Sequence, residues 1–199
     1  MLVSGLASQT LAASASGGLI PPGGSTAFHV LLAVHIPAGL TGVVTGAAAA
    51  LSPKRHGRHP RFGTIYYWTL SVVFVTAAAL AALRWPQDAY LLVLGTLSFA
   101  LASIGRTARR HHRQWQRHRR WMGWVGPHIT GMSLSYIMLL IAFYLDNGKN
   151  LPLWRELPPL TYWLLPTAIG IPLVARALLR YRSLAPRHQD GTANHGVAH

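Results

Sequence analysis

The feature that most constrains this chain is a series of five long apolar stretches with almost no charged side chains. They cover residues 28–51, 62–83, 89–105, 124–145 and 160–179. The hydrocarbon layer of a bilayer is about 30 Å thick, and about 20 helical residues cross it. Only 11% of the residues are charged, too few to coat a soluble domain of this length. The sequence therefore predicts an all-α integral membrane helical bundle with about five transmembrane helices.

The distribution of basic residues predicts how the helices are oriented. All but three of the 18 lysines and arginines lie between the first and second stretches, between the third and fourth, or towards the end of the fifth and beyond. Loops rich in Lys and Arg stay in the cytoplasm, so we expect the N-terminus outside and the C-terminus inside. Topology accounts for the formal charge of +14, and we expect no nucleic acid partner. The same side chains are suited to anionic lipid headgroups.

The two termini differ from the apolar region. Residues 1–27 are rich in Ala, Ser and Gly and contain no Lys or Arg, so they predict a flexible outer segment and not a signal peptide. Residues 28–182 form the predicted transmembrane helical domain. Residues 183–199 are polar and predict a disordered cytoplasmic tail.

Histidine is the side chain best placed to bind a metal or cofactor. The chain contains no cysteine and only four acidic residues, none of them within an apolar stretch. Thiolate sites are therefore excluded, and a carboxylate cluster within the membrane lacks ligands. Four histidines within or close to the predicted helices are the candidate ligands, namely His35, His59, His118 and His128.

His35 begins a stripe of small residues on the first helix. Gly39, Gly42 and Gly46 follow it at steps of four, three and four, which is the spacing of one helical face. Small residues on such a face allow close packing against another helix. They also provide room for the plane of a haem whose iron is held by the histidine. The two interpretations are compatible, and the sequence leaves both open.

His59 and His128 are predicted to lie at the same depth. Each stands beside a proline, Pro60 or Pro127, at the start of a helix on the basic side, and proline is favoured in a first helical turn. Two imidazoles at one level on different helices are suited to both axial positions of a haem. Alternatively, each histidine caps its helix or meets lipid phosphate.

Depth separates these two histidines from His35. At a rise of about 1.5 Å per residue, His35 and His128 differ by about 18 Å across the membrane, so we expect no single haem to join them. Met138 is the soft side chain at the depth of His35, and these two residues form a predicted outer site. His59 and His128 form the inner one. A non-haem Zn or Cu site of His59, His118 and His128 is the alternative at the inner level.

Two motifs carry a resemblance to a known family. The first combines the stripe from His35 to Gly46 with the basic turn and aromatic helix start of residues 54–66, and the second comprises residues 118–122, His128, Met132, Ser135, Tyr136 and Ile137. Across roughly residues 28–146 the chain resembles a bacterial family of multi-span membrane proteins, the domain of unknown function 2306. The resemblance implies a multi-pass protein of the bacterial cytoplasmic (inner) membrane. It draws attention to the four candidate histidines without implying a reaction.

These features together predict a small b-type cytochrome-like membrane protein. Haem b held by histidines would pass electrons between a quinone, or another redox partner, and an acceptor. Two further hypotheses remain open. One is a membrane hydrolase or sensor built on the Zn or Cu site, and the other is a non-catalytic membrane carrier or accessory protein.

Overall fold

The structure of the protein is a computed structural model that describes residues 25–53, 57–111, 124–152 and 156–184. Five long α-helices account for most of them: α1 Thr26–Leu51, α2 Arg58–Leu83, α3 Ala89–Arg110, α4 Val125–Asn147 and α5 Leu160–Leu184. A single turn of 3-10 helix, Gly148–Asn150, follows α4. No β-strand occurs in this described part of the chain. The predicted all-helical fold is confirmed.

All five helices are long and apolar enough to cross a membrane. They coincide with the five predicted stretches, but several of them run further at the ends that carry arginine. The reason is that helical hydrogen bonding continues into Arg58, Arg109 and Arg110, whereas an apolar stretch ends at its first charge. The helices support a multi-pass membrane protein, and its orientation stays a prediction. Residues 1–24 and 185–199, which make up most of the two predicted terminal segments, lie outside the described residues.

The beginnings of α1 and α2 follow from single residues. The Ser25 hydroxyl accepts a hydrogen bond from the backbone N–H of Phe28 at 3.3 Å, which satisfies one of the unpaired donors at a helix start. Gly57 precedes α2 with a φ of 127°, a conformation that glycine adopts because it has no β-carbon. The chain can therefore turn sharply between the first two helices.

The helices are arranged as two antiparallel hairpins and one added helix. α1 packs along α2, and α3 packs along α4, while α5 packs on α4. The hairpins meet mainly through α2 and α3 and less through α1 and α4, so α2 and α4 face each other across the bundle. α1 and α3 finish where α2 and α4 begin, and this end carries Arg58, Arg61, Arg109 and Arg110. We call it the basic end.

Helices α3 and α4 are in backbone contact. A β-carbon added at Gly131 would lie 2.7 Å from the carbonyl oxygen of Leu101 and 2.9 Å from the amide nitrogen of Gly105. Ala102, in the same interface, is fully buried. Small residues allow membrane helices to approach this closely, so α3 and α4 form a tight pair along much of their length.

Three buried hydroxyl groups form a hydrogen-bonded cluster at the centre of the bundle, and one of their bonds joins the two hairpins. Tyr66 of α2 lies 2.7 Å from the hydroxyl of Ser135 on α4. Ser98 of α3 donates to the carbonyl oxygen of Ser135 at 2.9 Å. All three side chains are at most 2% exposed. Since lipid offers no partner to a hydroxyl, these bonds satisfy polar groups that the packing has removed from any solvent.

Large apolar side chains cover the outside of the bundle. Val75, Leu173 and Leu179 are more than 60% exposed. Such a surface would promote aggregation in water, whereas lipid covers it in a membrane protein.

Candidate functional site

His59 lies in the first turn of α2, next to Pro60, and is partly buried. Its Nδ1 lies 2.8 Å from the carbonyl oxygen of Ala49, near the end of α1. A carbonyl oxygen only accepts, so Nδ1 carries a proton and donates it. In the neutral ring the lone pair then lies on Nε2, the nitrogen that binds a metal.

His128 has the same arrangement on α4. Its Nδ1 donates to the carbonyl oxygen of Gly105 on α3 at 2.9 Å, which again places the lone pair of the neutral ring on Nε2. The close approach of α3 and α4 around Gly105 and Gly131 brings the imidazole to that carbonyl. Trp124, one turn earlier, places its ring 6.0 Å from the imidazole.

The two imidazoles lie side by side at the basic end. Their ring centroids are 6.4 Å apart and their planes are inclined at 86°. An imidazole nitrogen lies about 2.0–2.1 Å from a bound metal ion, so two rings on opposite sides of one ion have centroids about 6–6.5 Å apart. Two rings at the corners of a tetrahedron would be about 5 Å apart. The spacing of His59 and His128 matches that of ligands on opposite sides of a metal, and it is also the spacing of an edge-to-face contact between two rings.

His35 lies in the first half of α1, far from the end of that helix where Ala49 meets His59. Its Nδ1 is 2.8 Å from the hydroxyl oxygen of Thr76 on α2. Thr76 donates its own proton to the carbonyl of Val72 at 2.8 Å, so its oxygen accepts from His35. Met138, the predicted partner of His35, packs against the cluster of Leu94, Ile137 and Ile141. The joint site of His35 and Met138 stays a prediction.

The glycines that follow His35 have different neighbours. A β-carbon at Gly46 would lie 2.5 Å from the ring of Tyr136, and the Tyr136 hydroxyl donates to the carbonyl of Val43 at 3.0 Å. A β-carbon at Gly42 would lie 3.4 Å from the side chain of Leu139, while one at Gly39 would have nothing within 4 Å. At Gly42 and Gly46 the stripe accommodates side chains of α4, in agreement with a role in helix packing. The haem plane along this stripe stays a prediction.

The described residues offer two imidazoles at this site and no larger ligand set. Within the described ranges there is no group of three or more His, Cys, Asp or Glu side chains able to hold a metal ion. His118 lies outside them, so its place beside His59 and His128 stays a prediction.

Sequence reasoning missed the hydrogen bond that lies directly beyond the histidine pair. Tyr66 follows His59 by seven residues and Ser135 follows His128 by seven, so each lies two turns further along the same helical face. Their hydroxyls are 2.7 Å apart. The sequence could have predicted this contact from the equal offset of seven residues. If His59 and His128 meet across the bundle, the residues two turns later on the same faces, Tyr66 and Ser135, also face each other.

Comparisons of the chain with protein-family models, with curated proteins and with solved structures give no match. The resemblance to a bacterial membrane family therefore stays a prediction. A function for the protein has to be inferred from the chemistry of His59 and His128.

Proposed function

We propose that this membrane protein is a b-type cytochrome-like electron-transfer protein in which His59 and His128 hold the iron of haem b. The observation that carries the proposal is the pair of rings 6.4 Å apart across the bundle, each anchored through Nδ1 to a backbone carbonyl. The iron of a haem is held by protein side chains such as histidine on its axial positions.

The number of ligands favours haem over a non-haem metal. A porphyrin supplies four nitrogen donors, so two imidazoles complete the coordination of its iron. Zinc needs three or four protein ligands, and the described residues supply two at this site. The spacing of the rings also favours ligands on opposite faces of a macrocycle over two corners of a tetrahedron.

The two carbonyl groups prepare the histidines for this role. Metal-binding histidines commonly donate their second ring N–H to a carbonyl or carboxylate, which fixes the ring orientation and raises the basicity of the ligating nitrogen. Ala49 on α1 and Gly105 on α3 provide these acceptors. Each imidazole is thus held by the other helix of its own hairpin.

A porphyrin held by both rings would need room for its edges between the helices at the basic end, while the two rings keep their present spacing of 6.4 Å. Helices pack more extensively within each hairpin than between the hairpins. The hairpins can therefore shift relative to each other while the two histidine–carbonyl hydrogen bonds, which lie within the hairpins, stay intact. We expect haem binding to move the α1–α2 hairpin relative to the α3–α4 hairpin.

Haem supplies one-electron transfer when bound. The protein's own residues orient the ring nitrogens, and the buried bond between Tyr66 and Ser135 closes the bundle two turns away and keeps water out. A quinol or another carrier dissolved in the bilayer is the redox partner we propose, because the site lies at the end of membrane-crossing helices.

An absorption spectrum of the purified protein tests the proposal. We expect a Soret band after expression with ample haem, a shift of that band on reduction with dithionite, and loss of the band in His59→Ala and in His128→Ala. Added imidazole should restore part of the band in either variant, because it replaces the missing ligand without repairing helix packing.

His111→Ala is the matched control, since His111 is exposed and also lies at the basic end. Its spectrum should equal that of the unaltered protein. His35→Ala should also keep the band. Colourless protein, or a band that survives in His59→Ala and His128→Ala, contradicts the proposal. Stoichiometric Zn or Cu in a colourless sample would establish the non-haem alternative instead.

A further inference from the structure

Arg176 is a charged residue within a helix that is apolar enough to cross a membrane. The candidate span on α5 runs from Leu160 to Tyr181. At about 1.5 Å per residue, Arg176 lies about 24 Å from Leu160, and the hydrocarbon layer is about 30 Å thick. Arg176 therefore attaches to the helix inside the apolar layer, about one turn from its edge.

Nothing in the described part of the protein compensates this charge. Arg176 is exposed, and no hydrogen bond or ion pair joins it to the residues that the structure places. α5 packs on the bundle through α4, where Gly170 meets Ile137 and Val174 joins an apolar cluster. Arg176 therefore has no partner among the described residues, and a charged side chain in hydrocarbon without one is costly.

The surroundings of Arg176 form a shallow open groove on α5. It is lined by Pro172, Ala175, Arg176, Leu179 and Arg180. The residues are spaced by three and four positions, so they share one helical face. Pro172 and Ala175 line one end of the groove, and Arg176 and Arg180 lie one turn apart towards the other end, with Leu179 between them. We call this surface the α5 groove.

We propose that the α5 groove binds one anionic phospholipid, independently of any haem. The phosphate lies between Arg176 and Arg180, and an acyl chain lies along Pro172, Ala175 and Leu179. Guanidinium groups donate paired hydrogen bonds to phosphate oxygens, and long arginine side chains reach from the apolar layer to the headgroups. The basic end is predicted to face the cytoplasm, where the leaflet rich in anionic lipid lies.

A second copy of the chain fits this groove less well than a lipid. In a two-fold symmetric dimer the same surface faces itself, which would bring the arginine pairs of both copies together. Like charges at short range repel strongly in an apolar environment. A zwitterionic phospholipid also fits less well, because its own ammonium group offsets the phosphate charge.

Lipid titration of the full-length protein, followed by native mass spectrometry, tests the proposal. The probes are phosphatidylglycerol and phosphatidylethanolamine with the same acyl chains. We expect Arg176→Gln and Arg180→Gln each to lower the apparent affinity for phosphatidylglycerol about tenfold, the effect of roughly one lost charge-assisted contact. Phosphatidylethanolamine should bind weakly to all forms.

Arg58→Gln is the control, because Arg58 is exposed at the basic end on α2, away from α5. It should bind phosphatidylglycerol as the unaltered protein does. The proposal is overturned if Arg58→Gln has the same effect as the α5 variants, if both lipids bind equally, or if cross-linking shows a dimer formed through α5. Should Arg176→Gln fail to fold, Arg180→Gln alone decides the outcome by the same criteria.

Discussion

Replacing Gly131 with alanine tests the close contact of α3 and α4 that positions His128. The added β-carbon would lie 2.7 Å from the Leu101 carbonyl oxygen, whereas ordinary van der Waals contact begins at 3.4 Å. The helices must therefore separate by about 0.7 Å, and because the opposing atoms are backbone, no side-chain rotation relieves the contact. Overpacking of this kind costs about 1–3 kcal/mol. Separation of α3 from α4 should also weaken the bond from His128 to the Gly105 carbonyl.

Gly39→Ala is the matched control for this variant. Both glycines lie within membrane-crossing helices, so the intrinsic helical preference for alanine, up to about 1 kcal/mol, acts equally in both. Gly39 has nothing within 4 Å, and its alanine variant should be as stable as the unaltered protein or slightly more so. Reversible unfolding in mixed detergent micelles measures the free energy of each form. Equal stability of the two variants would refute the backbone contact between α3 and α4.

Three further substitutions, the first with a control, give distinct expected outcomes. Tyr66→Phe removes the buried bond to Ser135 and should lower the free energy of unfolding by about 0.6–1.7 kcal/mol. Its control, Tyr67→Phe, loses only a long hydrogen bond of 3.5 Å and should change the free energy of unfolding little. Equal losses in the two variants would contradict this. Gly46→Ala forces the ring of Tyr136 to move and should destabilise the protein by about 1–3 kcal/mol in the same unfolding assay. His128→Met should keep haem but raise the midpoint potential of the haem in a redox titration, because a Met ligand in place of one His raises that potential. An unchanged midpoint potential would show that residue 128 is not a ligand.

The helices and the depth of His59 and His128 were predictable from sequence for a simple physical reason. Burial in lipid selects long uncharged stretches, and a helix rises by a constant amount per residue. Position along the chain therefore converts directly into depth. His59 and His128 both start helices that begin on the basic side, and the structure brings their rings to 6.4 Å.

The rotation of each helix about its own axis was not predictable in the same way. His35 was predicted to pair with Met138, but the structure turns His35 towards Thr76 and packs Met138 in another cluster. The stripe that ends at Gly46 could be recognised, yet its occupant, the ring of Tyr136, depends on how two helices face each other. Hydropathy along a membrane helix carries little of this information, because lipid-facing and buried positions are both apolar.

The electron paramagnetic resonance spectrum of the oxidised, haem-loaded protein tests the central claim most directly. Labelling histidine with ¹⁵N shows through hyperfine coupling which ring nitrogens bind the iron. Our account predicts low-spin ferric iron with two labelled imidazole nitrogens in the unaltered protein, and only one in His59→Ala or His128→Ala when haem binding is restored by added unlabelled imidazole. Two labelled imidazole nitrogens in either variant, or no iron-bound imidazole in the unaltered protein, would contradict it.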